Sequence, residues 1–186
     1  YIGGAIRVGD VIYAPNAEGI LYALDAANGN LVWKYPDQGV VGPLWARPAY
    51  NPECECLYVT SMDHQVYAVD ASSGNLVWKT EDLGGSVVGT PAIDEDGTLY
   101  VGTFGREVVA IDHTNGGVRW RIPVTGWVWG GPLLIEDRLY FGDLDGNFYA
   151  VSIQDREIIF QILNSQYQFT IRKFIFFCPF GNPLGF

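Results

Sequence analysis

Apolar residues in this chain come in short alternating runs broken by Gly, Asn and Asp, the pattern of half-buried β-strands. Runs at 11–13, 20–25 and 31–35 are followed by 57–60, 65–69 and 75–79, by 98–103, 108–112 and 118–122, and by 138–142 and 147–151. Alternation points Tyr22 and Leu24 to one face and Ala23 and Asp25 to the other, just as Tyr67 and Val69 oppose Ala68 and Asp70. Additional first strands are predicted at 42–50, 88–93 and 129–135; Pro43 and Pro48 suit an edge or strand entry rather than a sheet centre. Asn28-Gly29 between two apolar runs is a hairpin signal, because Gly accepts the positive φ of a tight turn.

The stretch from Ala23 to Trp33 returns as Ala68 to Trp78 and as Ala110 to Trp120. Its marked positions are Ala23, Asp25, Gly29 and Trp33, then Ala68, Asp70, Gly74 and Trp78, then Ala110, Asp112, Gly116 and Trp120. Asp25, Asp70 and Asp112 recur too regularly for catalysis; a carboxylate before a turn accepts backbone N–H bonds and fixes the turn's entry. Small Ala leaves space on its face, and the Trp fills space beside a neighbouring unit. Four-stranded units at a period near forty residues, each with a glycine-marked turn, are the pattern of a β-propeller. The expected class is all-β, with blades at 4–36, 42–82, 86–124 and 128–163: about four repeats, and thus an incomplete propeller. The fourth copy has Ser152, Arg156 and Phe160 where Asp, Gly and Trp belong. Arg at a positive-φ position is strained, so this turn is expected to take another shape.

Charge narrows the functional classes. The chain of 186 residues carries 21 acidic and 11 basic side chains, a net charge of −10, and every acid lies at or before Glu157. Such a field repels phosphate backbones and argues against a nucleic-acid groove or an anionic-membrane surface. A cation or protein partner fits better. No apolar run reaches the roughly twenty residues of a spanning helix, so the chain as given reads as soluble. It opens at Tyr1 with no secretory leader pattern, which implies a processed segment or a fragment. Cys54 and Cys56 are two residues apart, where an extended backbone holds them near the limit for bridging, so free or structural thiols are expected.

Residues 164–186 match no strand of the repeat and hold six of the ten Phe residues and no acid. They are either a docked tail or a segment foreign to the fold, such as a truncated or frame-shifted reading frame gives. The second reading is preferred.

The motif Ala23-x-Asp25-x-x-x-Gly29-x-x-x-Trp33 and its copies resemble the tryptophan-docking motif of pyrroloquinoline-quinone (PQQ)-like propeller repeats. That superfamily includes the BamB-like proteins of outer-membrane protein assembly and the quinoprotein alcohol dehydrogenases, and its propellers usually close with seven or eight blades. The resemblance covers about residues 4–163. It departs at the turns, where Asn28, Ser73 and Asn115 precede the Gly and Asn30, Asn75 and Gly117 follow it. It implies a non-catalytic, extracytoplasmic (periplasmic) scaffold for protein interaction or ligand binding, with an unidentified protein partner and no cofactor. The alternative is a fragment of a PQQ-dependent dehydrogenase, which would take PQQ and Ca²⁺; a third is the sensor propeller of a membrane kinase. A dehydrogenase commonly uses adjacent cysteines over its quinone, and Cys54 and Cys56 are not adjacent.

The remaining candidates are read as structural. Asp143-x-Asp145-Gly146-Asn147 lacks the further oxygen ligands of a full Ca²⁺ loop and is expected to be a solvated turn, as is the similar 94–97. His64 and His113 fall at turns or strand ends without a nucleophile elbow. Trp127 and Trp129, among glycines before the fourth unit's first strand, could reach a central or top surface, but blade packing is the expectation.

Overall fold

A computed structural model describes residues 3–38 and 41–163, and the backbone of 169–170. Apart from the backbone of 169–170, the expectation that residues 164–186 are a foreign tail lies outside the described residues. The described residues form antiparallel meanders and no helix. Blade 1 holds β1 (Ile6–Val8), β2 (Val11–Pro15), β3 (Leu21–Asp25) and β4 (Leu31–Tyr35). Blade 2 holds β5 (Ala49–Asn51), β6 (Cys56–Thr60), β7 (Val66–Asp70) and β8 (Leu76–Lys79). Blade 3 holds β9 (Ala92–Ile93), β10 (Leu99–Thr103), β11 (Glu107–Ile111) and β12 (Val118–Pro123). Blade 4 holds β13 (Leu133–Ile135), β14 (Arg138–Gly142), β15 (Phe148–Ser152) and β16 (Glu157–Ile162), with β17 (Phe169–Thr170) added beside β16.

The predicted first strands are shorter than their apolar runs suggest. Residues 42–48, 88–91 and 129–132 are loops, because Pro43, Pro48, Pro91 and Pro132 lack the N–H a ladder needs and Gly42, Gly89 and Gly131 sit where backbones cross closely.

Register explains the recurrent alanine spacing within the chain. Tyr13 pairs with Ala23 and Ala23 with Trp33, so the two rings meet over the methyl group at 5.6 Å. Tyr58, Ala68 and Trp78 repeat this at 5.7 Å, and Tyr100, Ala110 and Trp120 at 5.6 Å. A larger side chain at the central position would drive the rings apart. The fourth blade keeps the plan with Tyr140, Ala150 and Phe160. A register shift follows the alanine in all four blades and swings the next turn into place.

That turn is built the same way throughout. Asp25 Oδ1 accepts the N–H groups of Ala27 (2.9 Å) and Asn28 (3.0 Å); Asp70 Oδ1 accepts those of Ser72 and Ser73 and both hydroxyls. Asp112 accepts Thr114 N–H and hydroxyl and pairs with Arg119 at 2.9 Å. The Ser73 hydroxyl leads in holding the Asp70 carboxyl below the usual range, and the Thr114 hydroxyl does so for Asp112. Gly29, Gly74 and Gly116 each take φ +75°. The expectation for Arg156 is overturned: it takes φ +59°, and its N–H bonds Ser152 O at 3.0 Å just as Gly29 bonds Asp25 O. The pairing of β15 with β16 imposes the shape, and Ser152 Oγ replaces the missing carboxylate by accepting Asp155 N–H at 3.1 Å.

Blades join face to face. The Tyr–Ala–Trp face of blade 2 packs on Leu99, Val101, Val109 and Ile111 of blade 3, all fully buried. Blade 1 meets blade 2 and blade 3 meets blade 4 in the same manner. Trp33 Nε1 donates to Ala71 O at 3.1 Å and Trp78 Nε1 to His113 O at 2.7 Å, each acceptor being the residue after the turn aspartate of the next blade. The indoles lie over Gly74 and Gly116, where an added Cβ would come within 2.7 Å of Trp33 and 2.6 Å of Trp78. His113 therefore serves through its backbone, while His64 pairs with Asp82 at 3.1 Å.

The free-thiol expectation is also corrected. Glu55 takes φ +52°, so the backbone between the cysteines is a turn rather than an extended strand. It brings their Cα atoms to 5.2 Å, and Cys54 and Cys56 are paired as a disulfide.

Candidate functional site

The second turn of each blade, between its two middle strands, begins with a short polar residue: Asn16, Ser61, Thr103 or Asp143. Each accepts a backbone N–H of its own turn, from Ile20, Asp63, Gly105 and Asn147 respectively. The fourth residue of each turn has positive φ: Gly19, His64, Arg106 and Gly146. These turns clasp the loops that lead from blade to blade. Leu44 N–H bonds Asn16 O, Val87 N–H bonds Ser61 O, Val128 N–H bonds Thr103 O, and Leu144 N–H bonds Trp127 O at 2.8 Å. Turns and inter-blade loops thus form one hydrogen-bonded end of the molecule.

Asp143 is the most heavily used group there. It is buried, not solvated as its sequence suggests, and accepts from Thr125 Oγ1 (3.0 Å), Gly126 N (2.9 Å), Asn147 N (2.9 Å), Asn147 Nδ2 (3.1 Å to each oxygen) and Tyr149 Oη (2.8 Å). Burial pushes its carboxyl up, but these bonds, led by the Asn147 side chain, outweigh burial and hold it below the usual range. Asp94 likewise accepts Thr98 N–H at 2.7 Å and the Tyr100 hydroxyl at 2.8 Å.

On this braced end the loops gather aromatic side chains. Trp129 lies 6.0 Å from Trp45 and 5.3 Å from Phe104, and Phe104 stacks on Trp127 at 5.0 Å. Trp45 comes from the loop into blade 2, Phe104 from the β10–β11 turn, and Trp127 and Trp129 from the loop into blade 4. Trp127 and Trp129 are 47% and 48% exposed, so blade packing is not their role. Leu144, bonded through its backbone to Trp127, is exposed as well. The sequence signals Trp127 and Trp129, but not the meeting with Trp45 and Phe104, which are 82 and 23 positions before Trp127 in the chain. An exposed aromatic cluster on fixed backbone suits a partner surface, since large rigid rings contribute contact area with little entropy loss.

Among the described residues no group of three His, Cys, Asp or Glu side chains can hold a metal ion, and the oxygens of Asp143 are already committed to the turn. Cys54 and Cys56 lie at the β5–β6 turn, with Glu55 between them. The twelve marked repeat residues lie in the three blade turns and interfaces, away from the aromatic cluster.

A family model described as outer membrane protein assembly factor BamB matches the chain twice, over residues 17–98 and 62–174. The chain belongs to that family of PQQ-like β-propeller repeats. Among solved structures, BamB from Moraxella catarrhalis is 20% identical with a TM-score of 0.69, over 88% of this chain and 52% of its own. A europium-containing methanol dehydrogenase is 17% identical with a TM-score of 0.71, over 87% of this chain and 41% of its own. A computationally designed protein, Ika4, is 12% identical with a TM-score of 0.70, over 82% of this chain and 90% of its own. At such identities the likeness establishes the BamB-type fold alone. The chain spans about half the length of the BamB structure. No curated protein matches its sequence.

Proposed function

We propose that this chain is a non-catalytic propeller scaffold that binds a protein partner through the end carrying Trp45, Phe104, Trp127 and Trp129, and that it serves outer-membrane protein assembly outside the cytoplasm. The observation that carries this reading is the half-exposed aromatic cluster, built from three blades and braced by the turn network beneath it. The family's description gives the setting, and the acidic body of the chain favours a partner with a basic or neutral surface.

The test is complementation of a bacterial strain lacking its own BamB, scored by the level of folded outer-membrane proteins. The chain is expected to restore that level, and the pair Trp127→Ala and Trp129→Ala to abolish the effect while leaving the melting temperature within about 2 °C. Failure to restore, together with stoichiometric PQQ binding and dye-linked alcohol oxidation in the presence of Ca²⁺, would replace this reading with the dehydrogenase one.

A further inference from the structure

We propose that the Cys54–Cys56 bridge is a thiol–disulfide exchange site that takes thiols carrying a positive charge and oxidises them in pairs to a disulfide. The inference rests on the first turn of blade 2 and is independent of the assembly role.

The turn does not need this bridge. In every blade the turn between the first two strands passes through one residue of positive φ: Gly9 (+57°), Glu55 (+52°), Gly97 (+79°) and Glu136 (+53°). Blades 1, 3 and 4 make it without a cysteine, and in blade 2 the ladder already pairs Asn51 with Cys56 at the base of the turn. A bridge that spans a single residue also restrains the unfolded chain least, since its effect grows with the loop it closes. The pair is placed for access instead. Cys54 is exposed, as are Pro52, Glu53 and Glu55 around it, whereas Cys56 is buried. This difference directs an incoming thiolate to Cys54 Sγ and makes Cys56 the leaving group.

In the first step a thiolate forms a bond to Cys54 Sγ while the Sγ–Sγ bond breaks and its electron pair goes to Cys56 Sγ. Cys56 takes up the proton that the incoming thiol gave up and, as a thiol, donates to Cys54 O at 3.3 Å. A second thiol loses its proton and attacks the sulfur of the first, so the mixed disulfide breaks and Cys54 leaves and is protonated beside the Tyr58 hydroxyl, 3.4 Å from its sulfur. The chain gains two electrons and two protons, and two substrate thiols become one disulfide. Charge selects the substrate. A hollow of about 290 Å³ opens beside the turn, between blades 2 and 3, and is lined by Tyr50, Glu53, Ile93, Asp94 and Glu95. Among the described residues no Lys or Arg lines it, and Glu55 adds a further acid between the two cysteines. Such a field draws cationic thiols and repels anionic ones.

The experiment treats the full 186-residue chain with cysteamine, mercaptoethanol or mercaptoacetate for timed intervals and quenches with an alkylating agent. Mass spectrometry then reads the peptide that holds Cys54 and Cys56, which leaves Cys178 aside. In the folded chain the bridge should open at a rate within about 10-fold of that in urea, and early quenches should catch the mixed disulfide on Cys54. Compared per thiolate at low salt, cationic cysteamine should react at least about 10-fold faster than anionic mercaptoacetate, with the uncharged thiol between them. The gap should close in about 0.5 M salt. Glu53→Gln together with Glu95→Gln should narrow it about 3-fold at an unchanged melting temperature. Reduction should lower the melting temperature by less than about 6 °C. A chain isolated in air with both thiols free overturns the proposal. So do a bridge that opens only on unfolding, equal rates for the three thiols, or loss of the β-sheet circular dichroism on reduction, the last by showing that the bridge holds the fold.

Discussion

Replacing the three interface tryptophans one at a time separates the contributions that hold the blades together. Trp78 is 8% exposed, stacks on Tyr58 at 5.7 Å, covers Gly116 and donates to His113 O at 2.7 Å. Burying roughly 200 Å² of ring at about 25 cal/mol/Å² gives a ceiling of about 5 kcal/mol. Denatured chains already hide part of that area, while the lost hydrogen bond restores about 1 kcal/mol. Trp78→Ala should therefore cost about 4 kcal/mol, within the range of roughly 3–5 kcal/mol for a core aromatic. Trp33 has the same platform and a bond of 3.1 Å but is less buried, so Trp33→Ala should cost about 3 kcal/mol. Trp120 faces a turn with Arg156 in place of glycine and, among the described residues, lacks the indole bond; Trp120→Ala should cost about 2 kcal/mol. Urea unfolding followed by far-UV circular dichroism measures all three without relying on tryptophan emission. A loss below about 1 kcal/mol at Trp78, or an equal loss at Trp120 and Trp78, would refute the assignment of stability to indole docking.

Other expectations follow from the fourth blade and its turns. Arg156→Gly removes a left-handed cost of about 1–2 kcal/mol, partly offset by the freer unfolded chain, and should raise the urea midpoint. Asp143→Asn replaces a carboxylate that accepts hydrogen bonds from four residues, Thr125, Gly126, Asn147 and Tyr149, and should cost about 2–3 kcal/mol at neutral pH. Because the folded-state pKa of Asp143 is depressed, its stabilisation is complete above the unfolded carboxylate range near pH 4 and is lost as pH falls further. Stability measured against pH should accordingly drop less steeply below that point in Asp143→Asn than in the parent chain.

The architecture was legible because it repeats. Ala, Asp, Gly and Trp at fixed spacing mark a strand, a turn and a blade contact, and three copies make an accidental match improbable. The fourth blade shows where such reading stops. Ser152, Arg156 and Phe160 break the signature, yet the turn keeps its shape, since the hydrogen bonds between β15 and β16 outweigh the local preference of one residue. Tyr13, Tyr58, Tyr100 and Tyr140 belong to the motif as fully as the tryptophans, but their partners are on another strand and alternation alone does not reveal the ring contact. The prolines in the inter-blade loops, conversely, were the visible reason for strands to stop, and the apolar runs around them concealed it.

The aromatic end was hardly legible, for a physical reason that bears on its role. Asp143 resembled a solvated turn residue because its donors, Thr125, Gly126, Asn147 and Tyr149, are assembled from the loop and the strand that fold back on it. Trp127 and Trp129 resembled blade packing because tryptophan elsewhere in this chain does pack blades. The difference lies in what stands behind each ring: Trp33 and Trp78 rest on a glycine of the next blade, whereas Trp127 rests on Phe104 and otherwise faces outward. Both sets of rings are held on fixed backbone, so the same economy of conformational entropy applies to each. In the first set the stabilisation is spent within the fold, and in the second the rings stay open at the surface, which is what the proposed binding role requires.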